Sequence, residues 1–252
     1  MNKTLLLTGG TGKFGQVLVR HFAESGWKVI TTSREQSRMD QLLSGIGAAK
    51  GQVTGIAVDL KLPGASRCLI DELAERGIAV THLVNNARSL ETLAVQPNGT
   101  TERDAFVGEF KMDVVVPYEL AVCLSRSESH KLKAVVNIGS MYGEVAPNPA
   151  LYDGTLDRSP IQYGVSKAAL HHLTRELAVR LAPQNIRVNC VAYGGVEGRV
   201  DDAFLARYAQ LVPSRRMLKE PEVIGPVEFL LGGASSAVNG HVLIADGGWS
   251  VW

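Results

Sequence analysis

Tyr163 and Lys167 lie four residues apart in Tyr163-Gly164-Val165-Ser166-Lys167, at the head of a stretch with helical patterning. Residues at i and i+4 share one face of a helix, so the two side chains can reach one site. A free phenol ionises at about pH 10, too high for proton exchange at neutral pH, and a neighbouring ammonium favours the phenolate. A tyrosine held this way can give a proton to a carbonyl oxygen, or take one from an alcohol in the reverse direction. Such a pair also arises by chance on many helices. Its weight depends on what the rest of the chain places around it.

A second feature stands near the start. The run Leu5-Leu6-Leu7-Thr8-Gly9-Gly10-Thr11-Gly12-Lys13-Phe14-Gly15 reads as strand, glycine turn and helix start. Gly9 permits the tight turn, Gly12 lets the backbone approach a pyrophosphate, and Gly15 lets the helix pack closely on the strand. Unpaired N–H groups at the helix start then face the anion. Gly9, Thr11, Gly12, Lys13, Phe14 and Gly15 are therefore candidate contacts of a dinucleotide cofactor. The next strand candidate ends Thr31-Thr32-Ser33-Arg34. A carboxylate at that tip would hold the ribose 2′-OH of NAD. None stands there, and Glu35 follows one residue later. Arg34, with Lys13, can pair with a 2′-phosphate, and Ser33 sits beside it. The expectation is NADP in preference to NAD.

These groups need a scaffold. Short runs rich in Val, Ile and Leu recur at residues 4–8, 28–32, 53–58, 82–85, 133–138, 187–192 and 242–245. Their hydrophobicity is mostly continuous, as in strands covered on both faces of a parallel sheet. Helix-length segments at 14–25, 64–76, 102–123, 163–181 and 222–231 lie between them. This alternation predicts an α/β, Rossmann-like doubly wound fold with a seven-stranded parallel sheet. No linker, charge block or repeat divides the chain, so residues 1–252 are expected to form one NAD(P)-binding domain. Residues 141–162, rich in Pro, Gly, Asn and Asp, read as a long loop, and long loops are often functional.

Composition removes several function classes. Apolar residues make up 45 % and charged residues 20 % of the chain, ordinary globular usage. The net charge of +1 offers no general field for nucleic acid. No segment approaches the roughly 18 apolar residues of a membrane span. Cys68, Cys123 and Cys190 are scattered, as buried free thiols of a reducing compartment would be, and a cytoplasmic protein is expected. Neither they nor the histidines have metal-ligand spacing, so no metal is expected. His171 and His172 are adjacent, point different ways, and read as surface or subunit-contact residues.

The ordered set of motifs resembles the short-chain dehydrogenase/reductase family over essentially the whole chain. It comprises the glycine loop, Asp59-Leu60, Asn85-Asn86-Ala87, Val136-Asn137-Ile138-Gly139-Ser140, Tyr163/Lys167, Ile186-Arg187-Val188-Asn189 and Asp246-Gly247-Gly248. The resemblance implies hydride transfer between a nicotinamide and a carbonyl or alcohol carbon. Ser140 would hydrogen-bond the substrate oxygen beside Tyr163, and Lys167 would hold the nicotinamide ribose. Asp59, with Leu60, would contact adenine; Asn86 and Ala87 would line the cofactor groove. Val188 would lie near the nicotinamide edge, with Gly194 and Val196 among the cofactor contacts. It also implies a homodimer or homotetramer built through the two long helices and the last strand.

The chain departs from the family pattern at several positions. The glycine spacing looks like the extended, sugar-nucleotide-modifying branch. Arg88 stands where a glycine usually follows Asn-Asn-Ala, Tyr193 where a proline precedes Gly194-Gly195, and Gly198 where a threonine is common. Asp113 occupies the position of an asparagine that keeps a water relay to the lysine. An ionised carboxylate only accepts hydrogen bonds, whereas an amide also donates. Asp113 would pair with Lys167 and is a candidate catalytic residue with Ser140, Tyr163 and Lys167.

The 141–162 loop is longer than is common in the family and carries Tyr142, Asn148, Tyr152, Asp153, Thr155, Asp157 and Arg158. These side chains suit a polar, hydroxyl-rich ligand, with a sugar nucleotide among the candidates. Tyr152-Asp153-Gly154-Thr155 and Ser159-Pro160 resemble members linked to bacterial flagellin-glycan and surface-sugar biosynthesis. Arg88, Arg158 and Arg199 could together hold a carboxylate or phosphate. The rival readings are a 3-oxoacyl-thioester reductase, a sugar-nucleotide epimerase or dehydratase, and a non-catalytic NADP-binding regulator.

Overall fold

Leu5, Leu6 and Leu7 are all fully buried, although side chains alternate across a strand. The strand that holds them must therefore be covered on both faces. The computed structural model describes residues 3–198 and 200–252 and shows how. Strand β1 (Thr4–Leu7) sends Leu5 and Leu7 into one core and Leu6 into another. The first core is closed by Leu18, Val19 and Phe22 of α1 (Lys13–Glu24) and by Val227 and Leu230 of α8 (Ile224–Leu231). The second is closed by Leu69 and Leu73 of α3 (Ala65–Glu75), Leu120 and Leu124 of α5 (Val116–Arg126) and Leu177 of α6 (Ile161–Leu181).

The remaining strands are β2 (Lys28–Ser33), β3 (Val53–Ala57), β4 (His82–Asn85), β5 (Ala134–Ser140), β6 (Arg187–Tyr193) and β7 (Val242–Ala245). They form one sheet in the order β3-β2-β1-β4-β5-β6-β7, and every pairing is parallel. The chain builds outward from β1 to β3, then returns to add β4 on the other side of β1. The loops after β1 and β4 consequently diverge and leave a crevice at the carboxyl edge, where ligands bind in such sheets. The seven expected strands are all present. The inner ones are buried except at Lys28, which opens β2, and Arg187, which opens β6, whereas β3 and β7, at the edges, are exposed over more of their length.

Two helices went unexpected. Helix α2 (Gln36–Gly45) buries only Met39 and Leu42, too short a stripe to stand out in sequence. Helix α7 (Asp202–Leu211) is capped by Asp201, whose Oδ1 accepts the Phe204 N–H at 2.7 Å. The single helix expected at 102–123 is α4 (Arg103–Phe110), a π-helical turn (Lys111–Val115) and α5. Pro117 accounts for the turn: it has no N–H for the residue 113 carbonyl, and its ring crowds that carbonyl. The wider turn absorbs both effects and carries Asp113.

Candidate active site

The glycine loop is tied down from two sides. The Gly9 N–H donates to Thr32 Oγ1 (3.2 Å), and Thr8 Oγ1 accepts the N–H groups of Asn86 and Ala87 (both 3.0 Å). Asn86 Nδ2 donates back to the carbonyls of Thr8 (2.9 Å) and Gly9 (3.0 Å). Gly9 takes φ +71°, and a Cβ there would stand 2.7 Å from Ala87 Cα. Both facts require glycine. Helix α1 starts at Gly12 with no side-chain cap, so its first N–H groups remain for an anion. The loop borders a cleft of about 940 Å³ that continues to Ser140, Tyr163 and beyond. A bare loop backbone, an uncapped helix start and a crevice of this length fit a dinucleotide.

Gly9, Thr11, Gly12, Lys13, Phe14, Ser33, Arg34, Asp59, Leu60, Asn86, Ala87, Gly194 and Val196 all line this cleft. Gly15, a candidate cofactor contact, does not line the cleft: it lies beneath the loop, where a Cβ would meet the Gly9 carbonyl oxygen at 2.2 Å, so it packs the helix on the loop. Two side chains are placed otherwise than expected. Lys13 does not join Arg34: its ammonium reaches the Val196 carbonyl (3.4 Å) and Glu220 (3.6 Å), on the β6 side of the cleft. Arg34 already has a partner, with Nη1 at 3.2 and 3.3 Å from the two Glu91 oxygens. Lys61 also bonds Glu91, and the two cations hold that carboxyl below the usual range, the Lys61 bond first.

The departures from the family pattern acquire reasons. Gly198 has φ +103°, and Lys13 Nζ stands 3.1 Å from where its Cβ would be. The lysine occupies the space a threonine would use. Tyr193 packs its ring edge-on to Phe14 at 5.5 Å and donates its hydroxyl to the Val223 carbonyl at 2.5 Å. It braces the start of α8 rather than the cleft floor alone.

The catalytic candidates converge from three elements. Ser140 ends β5, and its Oγ accepts the Tyr142 N–H at 3.2 Å. Tyr163 is in the first turn of α6, which begins at Ile161, two residues before the expected start. Lys167 is 5 % exposed, and its ammonium donates to Asp113 Oδ1 (2.9 Å) and the Ile138 carbonyl (3.0 Å). Burial pulls the lysine's pKa down, but the Asp113 carboxylate and Tyr163 outweigh it, and the net shift is upward. Lys167 therefore stays charged. Asp113, 2 % exposed, sits behind it and not on the cleft surface. Arg88 stacks on Tyr163, its guanidinium 4.8 Å from the ring centroid, and Lys167 lies 5.7 Å from the same centroid. The Tyr163 ring thus has a cation near it on each of two sides.

His171 corrects the expectation of a surface histidine. His172 is exposed, but His171 is buried, with Nδ1 2.8 Å from Glu144 Oε1. Its ring fills the space left by two glycines: a Cβ on Gly139 or Gly143 would lie 2.5 Å from it. Burial lowers its pKa against the pull of Glu144, so the ring is neutral. It backs the segment that carries Ser140. The signal was available, because His171 is four residues beyond Lys167 on the same helix face.

The 141–162 loop contains two short 3-10 turns, Met141–Gly143 and Pro149–Tyr152. It is fastened to α7: Arg207 bonds the Leu151 carbonyl and pairs with Asp153, both at 2.9 Å. Most of its polar side chains face away from the cleft. Asn148 accepts the Ala150 N–H, Thr155 accepts the Asp157 N–H, and neither Asp157 nor Arg158 lines the cavity. Of the loop's polar residues, Tyr142 and Tyr152 line it, their hydroxyls 3.0 Å apart, beside Leu151, Phe204, Tyr208 and Met217. The expected three-arginine cluster does not assemble: Arg88 lines the cleft, Arg158 does not, and Arg199 lies outside the described residues.

Sequence reasoning also missed Glu91 and Glu109. Glu109 is a fully buried carboxyl one turn before Asp113. Its four-residue spacing from Asp113 was readable, but its burial was not. Among the described residues no group of three or more His, Cys, Asp or Glu is placed to hold a metal, and no helix is long and apolar enough to cross a membrane.

Comparison with known proteins agrees with this geometry. Residues 13–250 match the family model described as enoyl-(acyl carrier protein) reductase. Galactitol 2-dehydrogenase of Rhizobium johnstonii is 30 % identical, over 98 % of this chain and 95 % of its own length. Post-translational flagellin modification protein A of Campylobacter coli is 24 % identical over 99 % of both chains. A short-chain dehydrogenase from Leptospira borgpetersenii, solved with bound NAD+, is 25 % identical with a TM-score of 0.86, covering 99 % of this chain and 93 % of that one. The shared fold, the end-to-end coverage and the tyrosine–lysine pair beside the glycine loop have one reading: this chain belongs to the short-chain dehydrogenase/reductase family, oxidoreductases that interconvert alcohols and carbonyls with a nicotinamide cofactor.

Proposed function

We propose that this enzyme oxidises or reduces one carbon of a polyhydroxylated, sugar-like substrate, with NADP as its preferred cofactor. The observation that carries the substrate reading is the Tyr142–Tyr152 hydroxyl pair, 3.0 Å apart in the cleft that also holds Ser140 and Tyr163. Burial, then Tyr152, pushes the Tyr142 phenol upward, so it stays neutral and able both to donate and to accept. A bound nicotinamide would supply or take up the hydride. Tyr163 would exchange the proton with the substrate oxygen, Ser140 would hydrogen-bond that oxygen, and Lys167 would hold the nicotinamide ribose. Arg88 has no carboxylate in ion-pair contact among the described residues, which leaves its guanidinium for an anionic substituent of the substrate. The galactitol dehydrogenase and flagellin modification relatives support a sugar-like substrate, including a sugar nucleotide.

One observation favours a second reading. Leu151, Phe204, Tyr208 and Met217 make the far wall of the cleft largely apolar, as a 3-oxoacyl thioester reductase would require. Cofactor-coupled turnover on alditols, aldonates, nucleotide sugars and 3-oxoacyl thioesters separates the two. We expect turnover on the hydroxylated compounds, with Arg88→Gly raising KM for aldonates and leaving alditols nearly unchanged. Turnover on thioesters alone would end the sugar reading.

The cofactor preference rests on the missing carboxylate at the end of β2 and on Arg34 at the cleft. A 2′-phosphate would displace Glu91 from Arg34. NADPH is expected to bind more tightly than NADH by nucleotide fluorescence titration. A charge-assisted hydrogen bond is worth about 1.5–3 kcal/mol, so Arg34→Ala should weaken NADPH about 10- to 100-fold and leave NADH almost unmoved. Equal losses for both nucleotides would defeat the assignment.

A homodimer or homotetramer in the cytoplasm completes the proposal. Tyr118 of α5, Ile161 and Val179 of α6, and Phe229, Ile244 and Trp252 near the last strand are exposed apolar side chains on the surfaces the family resemblance points to. Three cysteines without disulfides suit a reducing compartment. Light scattering that gave a monomer would remove the assembly from the proposal.

A further inference from the structure

Glu109 has no role in the reading above, yet its position is unusual. Its carboxyl is 0 % exposed, with Oε2 accepting the Thr92 hydroxyl and Oε1 unpartnered among the described residues. One turn later Asp113 gives one oxygen to Lys167, and its Oδ2 is likewise unpartnered. Residues i and i+4 share a face, so two buried carboxyls on α4 and the π turn confront one buried ammonium. Lys167 bonds Asp113 from α6 and, like Arg88 from the loop after β4, acts on Glu109 through its charge; Thr92 and Asp113 complete the polar groups facing Glu109.

The charges can then be counted. Lys167 is neutralised by Asp113 at 2.9 Å. A second carboxylate in the same interior would lack a buried partner, which is strongly unfavourable. Arg88 does not supply it, because that residue is exposed and stacked on Tyr163. Two buried carboxyls one helical turn apart, with one buried ammonium to offset charge, favour the state in which one keeps its proton. Burial, then repulsion by Asp113, raises the Glu109 pKa against the Thr92 bond, Arg88 and Lys167.

We propose that Glu109 and Asp113 form a carboxyl dyad holding a single proton, with Glu109 the neutral acid and Asp113 the counter-ion of Lys167. The dyad positions the charge of Lys167 without touching substrate. It also has a reserve: when Asp113 loses its charge, the proton leaves Glu109 and its carboxylate takes over the ammonium. This inference builds on the role given to Lys167 above, but its test needs neither substrate nor turnover.

Infrared spectroscopy of the intact protein at neutral pH reads the dyad directly. The wild type should show a carbonyl stretch of a buried protonated carboxyl that persists in exchange-matched buffers. Glu109→Gln should remove that band. Asp113→Asn should remove it as well, because Glu109 then ionises to meet Lys167. A glutamate that is neutral for packing alone would keep its band in Asp113→Asn, and that result overturns the dyad. A wild type with no such band overturns it too. Should Glu109→Gln fail to fold, Asp113→Asn still decides, since Glu109 is intact in it.

The pH dependence of stability is a second readout. The folded pKa of Glu109 lies above its unfolded value, so the proton's contribution is fully present below the ordinary glutamate range and is lost as pH rises through the folded value. The melting temperature of the wild type should therefore fall relative to Glu109→Gln over that rise, and parallel profiles would count against the proposal. An active enzyme without the band would sink the dyad and leave the oxidoreductase reading standing; a band without turnover would do the reverse.

Discussion

Tyr163→Phe is expected to lower kcat by about 10²- to 10⁴-fold, the usual contribution of a positioned general acid or base. The variant keeps the ring that carries Arg88 at 4.8 Å and Lys167 at 5.7 Å, so the fold and both cations should stay in place. Only the hydroxyl proposed to exchange the proton is lost. Nucleotide affinity should therefore hardly change while turnover, followed by nicotinamide absorbance, collapses. Retained turnover would mean that another group handles the proton. Loss of cofactor binding as well would mean that the hydroxyl has a structural duty the geometry does not show.

Lys167→Met should be the most damaging substitution for stability. It strands the Asp113 carboxylate, which is 2 % exposed and has Lys167 Nζ as its partner at 2.9 Å. Removing one member of a buried ion pair typically costs about 3–5 kcal/mol, mainly because the surviving charge stays buried. Urea unfolding at neutral pH should show a loss of that size. In Lys167→Met/Asp113→Asn no charge is stranded, and most of the loss should be restored. Equal losses in the single and double variants would show that the pair does not set the penalty.

Asp113→Asn has a smaller expected effect, and the reason is instructive. From sequence, Asp113 looked like a carboxylate in an amide's place, with the proton relay in doubt. In the structure it is the direct counter-ion of Lys167, with a second carboxyl behind it. The substitution therefore changes where a charge sits, not whether Lys167 has one.

What the sequence by itself determined is the set of features whose cause is local. The order of βα units follows from runs of Val, Ile and Leu broken by helical patterning, because strand burial and helix amphipathicity are written within ten to twenty consecutive residues. The glycine loop follows from backbone freedom at Gly9 and from the clearance needed at Gly15. Tyr163 and Lys167 share a site because four residues on a helix make little more than one turn. Boundaries were less legible: Pro117 widened a helix read as continuous, and α2 had too little apolar surface to be noticed.

Only the tertiary structure decided which charges meet. Arg34 and Glu91 are 57 residues apart, Asp113 and Lys167 54 apart, and Lys13 and Val196 183 apart. Each contact depends on the β3-β2-β1-β4-β5-β6-β7 order bringing distant loops to one edge. The polar residues of the 141–162 loop show the same limit. Composition put hydroxyls and charges there, but the Arg207–Asp153 pair fastens the loop to α7 and turns most of them away from the cleft. Side-chain direction and partner choice are settled by packing against neighbours remote in sequence. A residue's type sets what it can bond, and the fold sets what it finds.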